Sequence, residues 1–546
     1  MNMIARPVEP DAIHGRRGGS KKRATLMSLL VAVAGFGLLT GCEPNPNKRA
    51  PDRPEQAGAS APRLPAGPIS LLGFARMLAE TDEAILAQRL EVAIAQQSAL
   101  ATAGAFEPEF YTSLTRSGEY SQTNASDYLS RGSSKDGDDP TAFEQYTSEA
   151  RMGLELRDRQ GISLDLYYEM SKVKNSLQEP AQLPSPEHSA SVGLSLEVPL
   201  LRGGGRMVNT SNEVVTGIDE RIAVETTRQI KAQRAYEGLT TYLMVQRAQA
   251  RVRWRQKIAS LAKELEREMA AQVEQGLRSQ SDLIEAQSER AVRASDLALA
   301  RQELSERLGA FQIYFTGGVS APDGQYRPAD PLRAVPSRYL SRGNFGTVSQ
   351  AFSRRPEARI NGLRVEREEV LRLVAENQAL PEANLVGDFR KTRLSEHYIP
   401  FRDVFTAGNP YETWRIGFEF RRGLRGDLRG KADLEAAKLR EKQAELAMNA
   451  FRNRIASELN GIGSILVRAQ ERLSQQNRIV QAQKDLLRAE ETSLQNGASS
   501  QVNVIVRQIE LAQAQELRVE ALVQLNLASY LASQVDGTLL ERLGVN

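Results

Sequence analysis

The stretch EVPLLRGGGRMVN, residues 197–209, marks a change from one kind of local structure to another. Before it, in SVGLSLEVPL (191–200), apolar residues alternate with polar ones, which predicts a strand. After it, residues 206–274 contain no proline and consist mostly of helix-forming residues. Three consecutive glycines, Gly203, Gly204 and Gly205, therefore separate a predicted strand from a very long predicted helix.

A strand, a glycine turn and a helix also begin a dinucleotide-binding site. That site requires the pattern G-x-G-x-x-G within a βαβ unit of about thirty residues. Here Val208 stands where the last glycine should be, the helix is more than twice too long, and no parallel strand returns. We therefore interpret the glycines as residues that let the chain bend from strand into helix, and not as a phosphate site.

A second stretch of the same kind lies later in the chain. TWRIGFEFRRG (413–423) alternates like a strand, ends at Gly423, and is followed by a helical pattern over about 428–496. In that helix Leu459, Leu466, Leu473, Val480, Leu487 and Leu494 recur every seven residues, with Ile455, Ile462 and Ala469 as a partner row. This heptad seam predicts a helix of about 100 Å that needs neighbouring helices.

The two long helices indicate an internal repeat. Gly203 and Gly276 are 73 residues apart, and Gly423 and Gly497 are 74 residues apart. Each long helix ends in a similar turn, EQGLRSQSDLIEAQ (274–287) and QNGASSQVNVIVRQ (495–508). Shorter helices flank them, and two placed end to end would match one long helix; they are predicted at about 73–104, 281–312, 346–379 and 500–535.

The strand patches carry apolar side chains on one face and polar ones on the other. This alternation is typical of a membrane barrel with a polar lumen, and equally of a half-buried soluble sheet. ARMGLELRDRQGISLDLYYEM (150–170) predicts an additional hairpin that turns at 158–161. The segments 117–145 and 393–410 are predicted to be long exposed loops, which favours the barrel, and Trp414 is a candidate for an aromatic girdle.

Composition excludes several classes of function. The net charge is only +3 and the basic residues are spread along helices, so nucleic acid is not an expected partner. One cysteine excludes an internal disulfide, and three histidines leave little for metal or nucleophile chemistry. No pairing of a nucleophile with a base exceeds chance. We expect no cofactor, no metal and no enzymatic activity.

The first residues are predicted to direct export. A basic segment precedes an apolar run over 24–39, which has the length of a secretory signal and is too short for a membrane span. The run ends at Leu39-Thr40-Gly41-Cys42, which looks like a bacterial lipobox. We predict a signal peptide over 1–41, lipid attachment at Cys42, and a proline-rich tether over 42–69. Glu43 follows the cysteine, which favours the outer membrane.

Taken together, these features resemble the outer-membrane efflux protein family, the TolC-like exit ducts of Gram-negative bacteria. The resemblance covers about 70–540. It is carried by GFARMLAETDEAILAQRLEVAIAQQSALATAGAFEPEF (73–110), VGLSLEVPLLRGGG (192–205), EQGLRSQSDLIEAQ (274–287) and RRPEARINGLRVEREEVLRLVAENQALPEANLVGDF (354–389). Each motif is weak alone, and their order, their repetition and the lipobox give the match its weight.

The resemblance implies a mainly α protein with membrane β-structure. In the implied architecture three protomers build one α-helical barrel across the periplasm and one shared β-barrel in the outer membrane. Each protomer would contribute a first repeat over 70–312, an equatorial connection over 313–344 and a second repeat over 345–540. The additional hairpin implies more strands than the simplest members of the family have.

The resemblance also assigns expected roles to residues. The helical turns would form periplasmic tips where an adaptor docks, and Asp282 and Asn503 would lie at the pore constriction, with an amide replacing an acid in the second repeat. Gly203, Gly204, Gly205 and Gly423 would mark the transitions from strand to helix. The tip residues are Gly276, Leu277, Arg278, Ser279, Gly497, Ala498, Ser499 and Ser500.

The implied function is a passive exit channel of a tripartite efflux or type I secretion system. Its expected partners are two further copies of the chain, a periplasmic adaptor, an inner-membrane pump of the RND or ABC type, and outer-membrane lipid. The alternatives are a periplasmic adaptor lipoprotein and a structural periplasmic coiled coil without a channel. The first lacks support because no lipoyl-like domain is evident, and the second because of the amphipathic strands.

Overall fold

The computed structural model describes residues 67–122, 142–176, 178, 185–316, 326–340, 347–406, 411–424 and 426–545. The predicted signal peptide, the lipid-attachment residue Cys42 and most of the predicted tether lie outside the described residues. The last three residues of that predicted tether, Gly67–Ile69, form strand β1 and are therefore part of a sheet and not of a free linker. This strand pairs in parallel with strand β6, Tyr326–Pro328, which lies in the predicted equatorial connection.

Long helices dominate both halves of the chain. The two longest helices, α4 (Ser211–Glu274) and α9 (Leu428–Gln495), have 64 and 68 residues, so each is about 100 Å long at 1.5 Å per residue. The first half contains α1 (Leu71–Thr81), α2 (Glu83–Ala103), α3 (Arg206–Asn209), α4 (Ser211–Glu274) and α5 (Gln280–Thr316). The second half contains α6 (Val348–Arg354), α7 (Pro356–Gln378), α8 (Phe401–Thr406), α9 (Leu428–Gln495), α10 (Gln501–Val535) and α11 (Leu539–Leu543).

The short helices stack end to end along the long ones, as the lengths predicted. Phe74 at the start of α1 meets Phe311 near the end of α5, with ring centroids 4.9 Å apart, and both side chains are fully buried. Tyr242 of α4 completes this aromatic cluster at 5.9 Å from Phe311. Burying three aromatic rings at one junction stabilises the end-to-end contact and fixes the short helices on the long one.

Two of the predicted short helices are interrupted. The helix expected over about 73–104 ends at Thr81 and restarts at Glu83, because the Asp82 carboxylate accepts hydrogen bonds from the amides of Ala84 and Ile85. The helix expected over about 346–379 is broken at Arg355, which precedes a proline and adopts an extended conformation. In addition, α5 continues to Thr316, so the predicted boundary at 312 lies inside this helix.

The strands form one antiparallel six-stranded sheet in the order β2-β3-β4-β5-β7-β8. The predicted hairpin is present as β3 and β4, joined at 158–162. The strands extend well into the segments predicted to be loops, because β2 reaches Gln122 and β3 begins at Ala142. Their bounds are β2 Glu109–Gln122, β3 Ala142–Arg157, β4 Ser163–Asn175, β5 Glu187–Pro199, β7 Glu382–Ser395 and β8 Tyr411–Arg421.

The described part of the segment predicted as an exposed loop over 393–410, residues 393–406, instead folds back onto the sheet. Helix α8 places Val404 in a buried cluster with Tyr168 and Ala190, and the Tyr168 hydroxyl donates a hydrogen bond to the carbonyl oxygen of Ile399 at 2.7 Å. Among the described helices, none combines the length and the apolar composition needed to cross a membrane.

Candidate functional site

At the first transition from strand to helix, the glycine amides are already used by the protein. The Gly203 amide donates to the side-chain oxygen of Asn377 at 2.8 Å, the Gly204 amide to the Leu201 carbonyl at 3.1 Å, and the Gly205 amide to the Gln160 carbonyl at 3.0 Å. A phosphate loop must leave such amides free for its ligand. The structure therefore agrees with a bend and not with an anion site.

Each of these glycines meets a distinct steric requirement. Gly203 and Gly205 have φ values of 79° and 99°, which residues with a Cβ atom rarely adopt. Gly204 has an ordinary φ, but a Cβ there would lie 2.7 Å from the Pro199 carbonyl oxygen. The three residues thus form the transition that the sequence predicted.

The second transition, between β8 and α9, contains Gly423, whose carbonyl accepts a hydrogen bond from the Gly426 amide at 3.0 Å. Gly423 has no positive φ, and a Cβ added there would make only ordinary contacts. The left-handed conformations belong to Gly426 (φ 78°) and Asp427 (φ 48°), and the Asp427 carboxylate caps α9 by accepting a hydrogen bond from the Gly430 amide at 3.0 Å.

The two transitions are bonded to each other. The Arg202 guanidinium donates to the Asp427 carboxylate at 2.6 Å, and its Nε donates to the Leu380 carbonyl at 2.8 Å. The Asn377 side chain, at the end of α7, bonds to the backbone on both sides of Gly203. Residues from both halves of the chain therefore fix the angle at which the long helices leave the sheet.

The two helical tips have the same backbone construction. At the first tip, Gly276 has φ 75°, the Gly276 amide donates to the Val273 carbonyl, and the Leu277 amide donates to the Gln272 carbonyl. At the second tip, Gly497 has φ 72°, and the Gly497 and Ala498 amides make the equivalent bonds. This is the Schellman arrangement that ends a helix at a glycine.

The tips differ in the first turn of the helix that follows. In α5, the Asp282 carboxylate accepts a hydrogen bond from the Ser279 amide at 3.1 Å, while Ser279 Oγ accepts one from the Asp282 amide. In α10, Asn503 occupies the same position after Ser500, and its side chain donates to Ser499 Oγ at 3.2 Å. Asp282 and Asn503 thus occupy the same position after the two tips, with a carboxylate at the first and an amide at the second.

The electrostatic setting of Asp282 keeps it ionised. The hydrogen bonds from the Ser279 amide and hydroxyl, together with the charge on Arg278, lower the pKa of its carboxyl group. At the other tip, Ser499 donates a very short hydrogen bond to Glu490 of α9. Residues 276–279, 497 and 498 are exposed, and Leu277 is 69% exposed, whereas Ser499 and Ser500 are half-buried.

Sequence reasoning missed an ionic ladder between the helices. Arg247, Arg251 and Arg255 of α4 are spaced one turn apart and bridge α5 to α10. Their carboxylate partners are Glu303, Asp296, Glu516 and Glu520. Burial raises the pKa of Glu303, but the hydrogen bond from Arg247 and the charge of Arg251 outweigh it and lower the pKa. The four-residue arginine spacing was the available signal.

The sheet has one apolar and one polar face. Cross-strand pairing places one apolar residue from every strand in a single row, and these residues are Phe110, Leu154, Leu166, Leu194, Phe389 and Trp414. In this row Trp414 is 71% exposed.

On the opposite face, Arg151 bonds to Asp165 at 2.9 Å and to the Tyr111 hydroxyl at 3.1 Å. Among the described residues, no group of histidine, cysteine or acidic side chains is arranged to hold a metal.

This combination of a six-stranded sheet with paired long helices is the fold of outer membrane channels. The chain is similar to the Campylobacter jejuni CmeC outer membrane channel, with 14% identity over 86% of each chain and a TM-score of 0.58. It is also similar to the outer membrane protein VceC from Vibrio cholerae, with 14% identity over 87% of this chain and 96% of that chain and a TM-score of 0.55.

The open state of the Neisseria gonorrhoeae MtrE outer membrane channel is a further match, with 14% identity over 87% of this chain and 90% of that chain and a TM-score of 0.55. No protein-family model and no curated protein sequence matches the chain. The predicted fold resemblance is therefore confirmed by structure alone: the chain has the mainly helical fold with a sheet that characterises these channels.

Proposed function

We propose that this chain is the outer-membrane exit channel of a tripartite efflux or type I secretion system. It acts as a homotrimer, and its substrate passes through a common lumen without chemical change. The observation that carries the proposal is the sheet, whose apolar side chains form a row across all six strands and are exposed on five of them, with Leu154 of β3 half-buried. A soluble half-buried sheet would cover this row, whereas a lipid bilayer matches it.

The strand order supports closure of the sheet by further copies. Every neighbouring pair is antiparallel, and the two edge strands, β2 and β8, have 14 and 11 residues. Long unpaired edges are unfavourable because they expose backbone donors and acceptors. Because the strand number is even, β8 of one copy meets β2 of the next in antiparallel orientation. A ring of three would give about eighteen strands, within the range of outer-membrane barrels.

The helices support the same cyclic arrangement. Helix α9 lies at one side of the helical layer and carries exposed Leu439, Leu446, Ile465, Ile479 and Leu486. At the other side, α2 and α5 expose Leu90, Ile94, Ile284, Val292 and Leu299. Two different apolar stripes at opposite sides fit a head-to-tail contact between copies, which closes into a ring. Within the described part of one copy, α4 packs against α2, α5, α7 and α10, whereas α9 packs chiefly against α10 and the second-half helices α6 and α7, which leaves its other side for a neighbouring copy.

With the sheet in the outer membrane and the helices in the periplasm, roles follow for the helical tips, the constriction residues and Cys42. The tips at 276–279 and 497–500 contact a periplasmic adaptor, which links the channel to an inner-membrane pump of the RND or ABC class. Asp282 and Asn503 border the periplasmic mouth. Cys42 carries the lipid anchor, and the protein needs no cofactor. A periplasmic adaptor or a structural coiled coil is the weaker alternative, because neither uses an exposed apolar sheet.

Reconstitution of purified protein in a planar bilayer tests the proposal, with a matched pair of variants on β8. Ile416→Lys places a charge on the apolar face, and Glu419→Lys places the same residue on the polar face. A lysine facing lipid costs about 2–4 kcal/mol near the bilayer centre. We expect the first variant to lose membrane insertion and conductance, and the second to keep insertion and to change ion selectivity.

The outcomes separate the alternatives. Stable pores and a heat-modifiable trimer in the parent protein support the channel. A soluble monomer without conductance, or equal tolerance of both lysines, would contradict it.

A further inference from the structure

The apolar face of the sheet ends in basic residues at the side away from the helices. On β2 the apolar run ends at Arg116, on β4 at Lys172, on β5 at His188 and on β7 at Lys391. The pairing register carries Arg116 across Ser148 to Lys172 and on to His188. These residues, together with Lys174 and Arg393, are named the basic border.

Positive charge clearly exceeds negative charge at this border. On the same face of the described strands the acidic residues are Glu144 and Glu412, and the Glu412 carboxylate is 2.8 Å from the Lys391 ammonium. The Arg393 guanidinium is held by the Asp403 carbonyl oxygen at 2.9 Å. In the described part of the chain, the side chains of Arg116 and Lys172 have no ion-pair partner, and both are exposed. They are thus available to an anion.

A short amphipathic helix lies on the same face beside the border. Helix α8 buries Val404 against the sheet and leaves Phe401 and Phe405 about half exposed, with the Phe401 ring 5.3 Å from that of Tyr168. Arg402 of this helix is exposed, and its side chain has no partner among the described residues. Exposed aromatic rings next to cationic groups are the composition of a surface at the level of lipid headgroups.

The height of the apolar face agrees with a position of the basic border at the level of the lipid headgroups. On β7, 12 residues separate Ala383 from Ser395, the partner of His188. At about 3.3 Å per residue and a tilt of about 45°, this distance corresponds to roughly 28 Å along the membrane normal. The apolar band of an outer-membrane barrel is about 25 Å tall, so the row that contains Arg116, Lys172 and His188 falls where headgroup phosphates lie, and Lys391 and Arg393 lie below it.

We propose that the basic border binds the phosphate groups of anionic lipids in the outer leaflet of the outer membrane, with Arg116 and Lys172 as the principal contacts and Arg402 of α8 on the same face of the sheet. The proposal rests on the proposed function, because the apolar face must contact lipid. Arg116 and Lys172 are two strands apart, about 10 Å, so they suit two phosphates of one large headgroup or of neighbouring lipids.

The test measures lipid bound to the purified trimer in phosphatidylcholine nanodiscs containing a minor fraction of bisphosphorylated lipid A. The variant Arg116→Gln/Lys172→Gln removes both free charges. Its matched control, Arg157→Gln/Arg390→Gln, removes two charges from the polar face of the same sheet. Each charge near a membrane surface contributes about 1 kcal/mol, so we expect the border variant to retain lipid A at least about tenfold more weakly, and the control to be unchanged.

Further arms identify the ligand. Dephosphorylated lipid A should be retained by the parent no better than by the border variant. Equal loss in both variants, or no loss in the border variant, would overturn the proposal, as would complete displacement by inorganic phosphate, which would show a site for the free ion. Trimer migration and conductance are measured on the same samples, so a failure of the channel itself would be seen separately.

Discussion

The Arg202 guanidinium lies 2.6 Å from the Asp427 carboxylate and joins two turns that are 225 residues apart in the chain. Each turn converts a strand of the sheet into a helix of about 100 Å. A small change of angle at such a turn would move the far end of the helix by many ångströms. This pair therefore contributes more to the alignment of the helices than its partly exposed position would suggest.

We predict a graded response at Asp427. Asp427→Asn keeps an oxygen that can cap α9 and tolerates a left-handed backbone, but it loses the charge that pairs with Arg202. Asp427→Ala loses the cap, the pair and the tolerance for positive φ. The temperature at which the trimer dissociates should fall slightly for the first variant and strongly for the second. Equal values for both variants would show that the cap does not stabilise the transition.

The glycine turn gives a sharper prediction. Gly205→Val forces a β-branched residue to a φ of 99°, at a cost of about 1–3 kcal/mol, although no atom lies near its Cβ. The yield of assembled trimer should fall, while nucleotide affinity stays undetectable in variant and parent. Gly217→Ala is the control, because Gly217 lies inside α4 with ordinary φ and open space around its Cβ. Full assembly of the valine variant would contradict the steric argument.

A change of pH should affect the helix cap at the first tip, which contains Asp282, and not the cap at the second tip. The folded-state pKa of Asp282 is lowered, so its capping of α5 is complete above the ordinary carboxyl pKa of 3.8 and is lost as pH falls through the folded value. The protection factors of the amides at the start of α5, which are corrected for the intrinsic pH dependence of amide exchange, should be constant from neutral pH to about pH 4 and lower below it. The start of α10, with Asn503 in this position, is the internal control. A pH response that persists in Asp282→Asn would exclude this carboxyl group as the cause.

The charges at the mouth should also control cation block. Asn503→Asp adds a carboxylate to each protomer, so multivalent cations should block conductance at lower concentration than in the parent. Asp282→Asn should have the opposite effect, because it removes a carboxylate. Unchanged block in both variants would place these residues away from the constriction.

The lipid anchor should be separable from assembly. Cys42→Ser removes the predicted site of acylation, so metabolic labelling with palmitate should disappear. The sheet should still hold the trimer in the outer membrane, as measured by fractionation and heat-modifiable migration. Loss of outer-membrane insertion in this variant would show that the anchor, and not the sheet, holds the protein.

Periodic patterns explain why so much of the architecture could be predicted. Five residues of the seven-residue seam are buried and the others are half-buried, and the alternation around Trp414 defines the apolar face; the buried five are Ile455, Ile462, Leu466, Leu473 and Val480. These features repeat over many residues, so isolated exceptions do not obscure them. The ends of the long helices could also be predicted from the local sequence, since Gly276 and Gly497 both end their helices as expected.

Features that depend on a distant partner could not be predicted. The break at Asp82 is stabilised by Arg234, which donates three hydrogen bonds to this buried carboxylate from 152 residues away. The folding of α8 onto the sheet depends on contacts with Tyr168, far away in sequence. By contrast, Pro356 already signalled the break at Arg355.

Cross-linking of the two sheet edges determines whether three protomers close one sheet. With Cys42 replaced by serine, Ser113→Cys on β2 is combined in turn with Thr413→Cys, Arg415→Cys or Gly417→Cys on β8, and intact outer membranes are treated with a short bifunctional thiol reagent. The account predicts that at least one pair yields covalent dimers and trimers, with a ladder that stops at three copies. Cross-links confined to single chains, or a ladder that continues beyond three, would contradict closure of one sheet by three protomers.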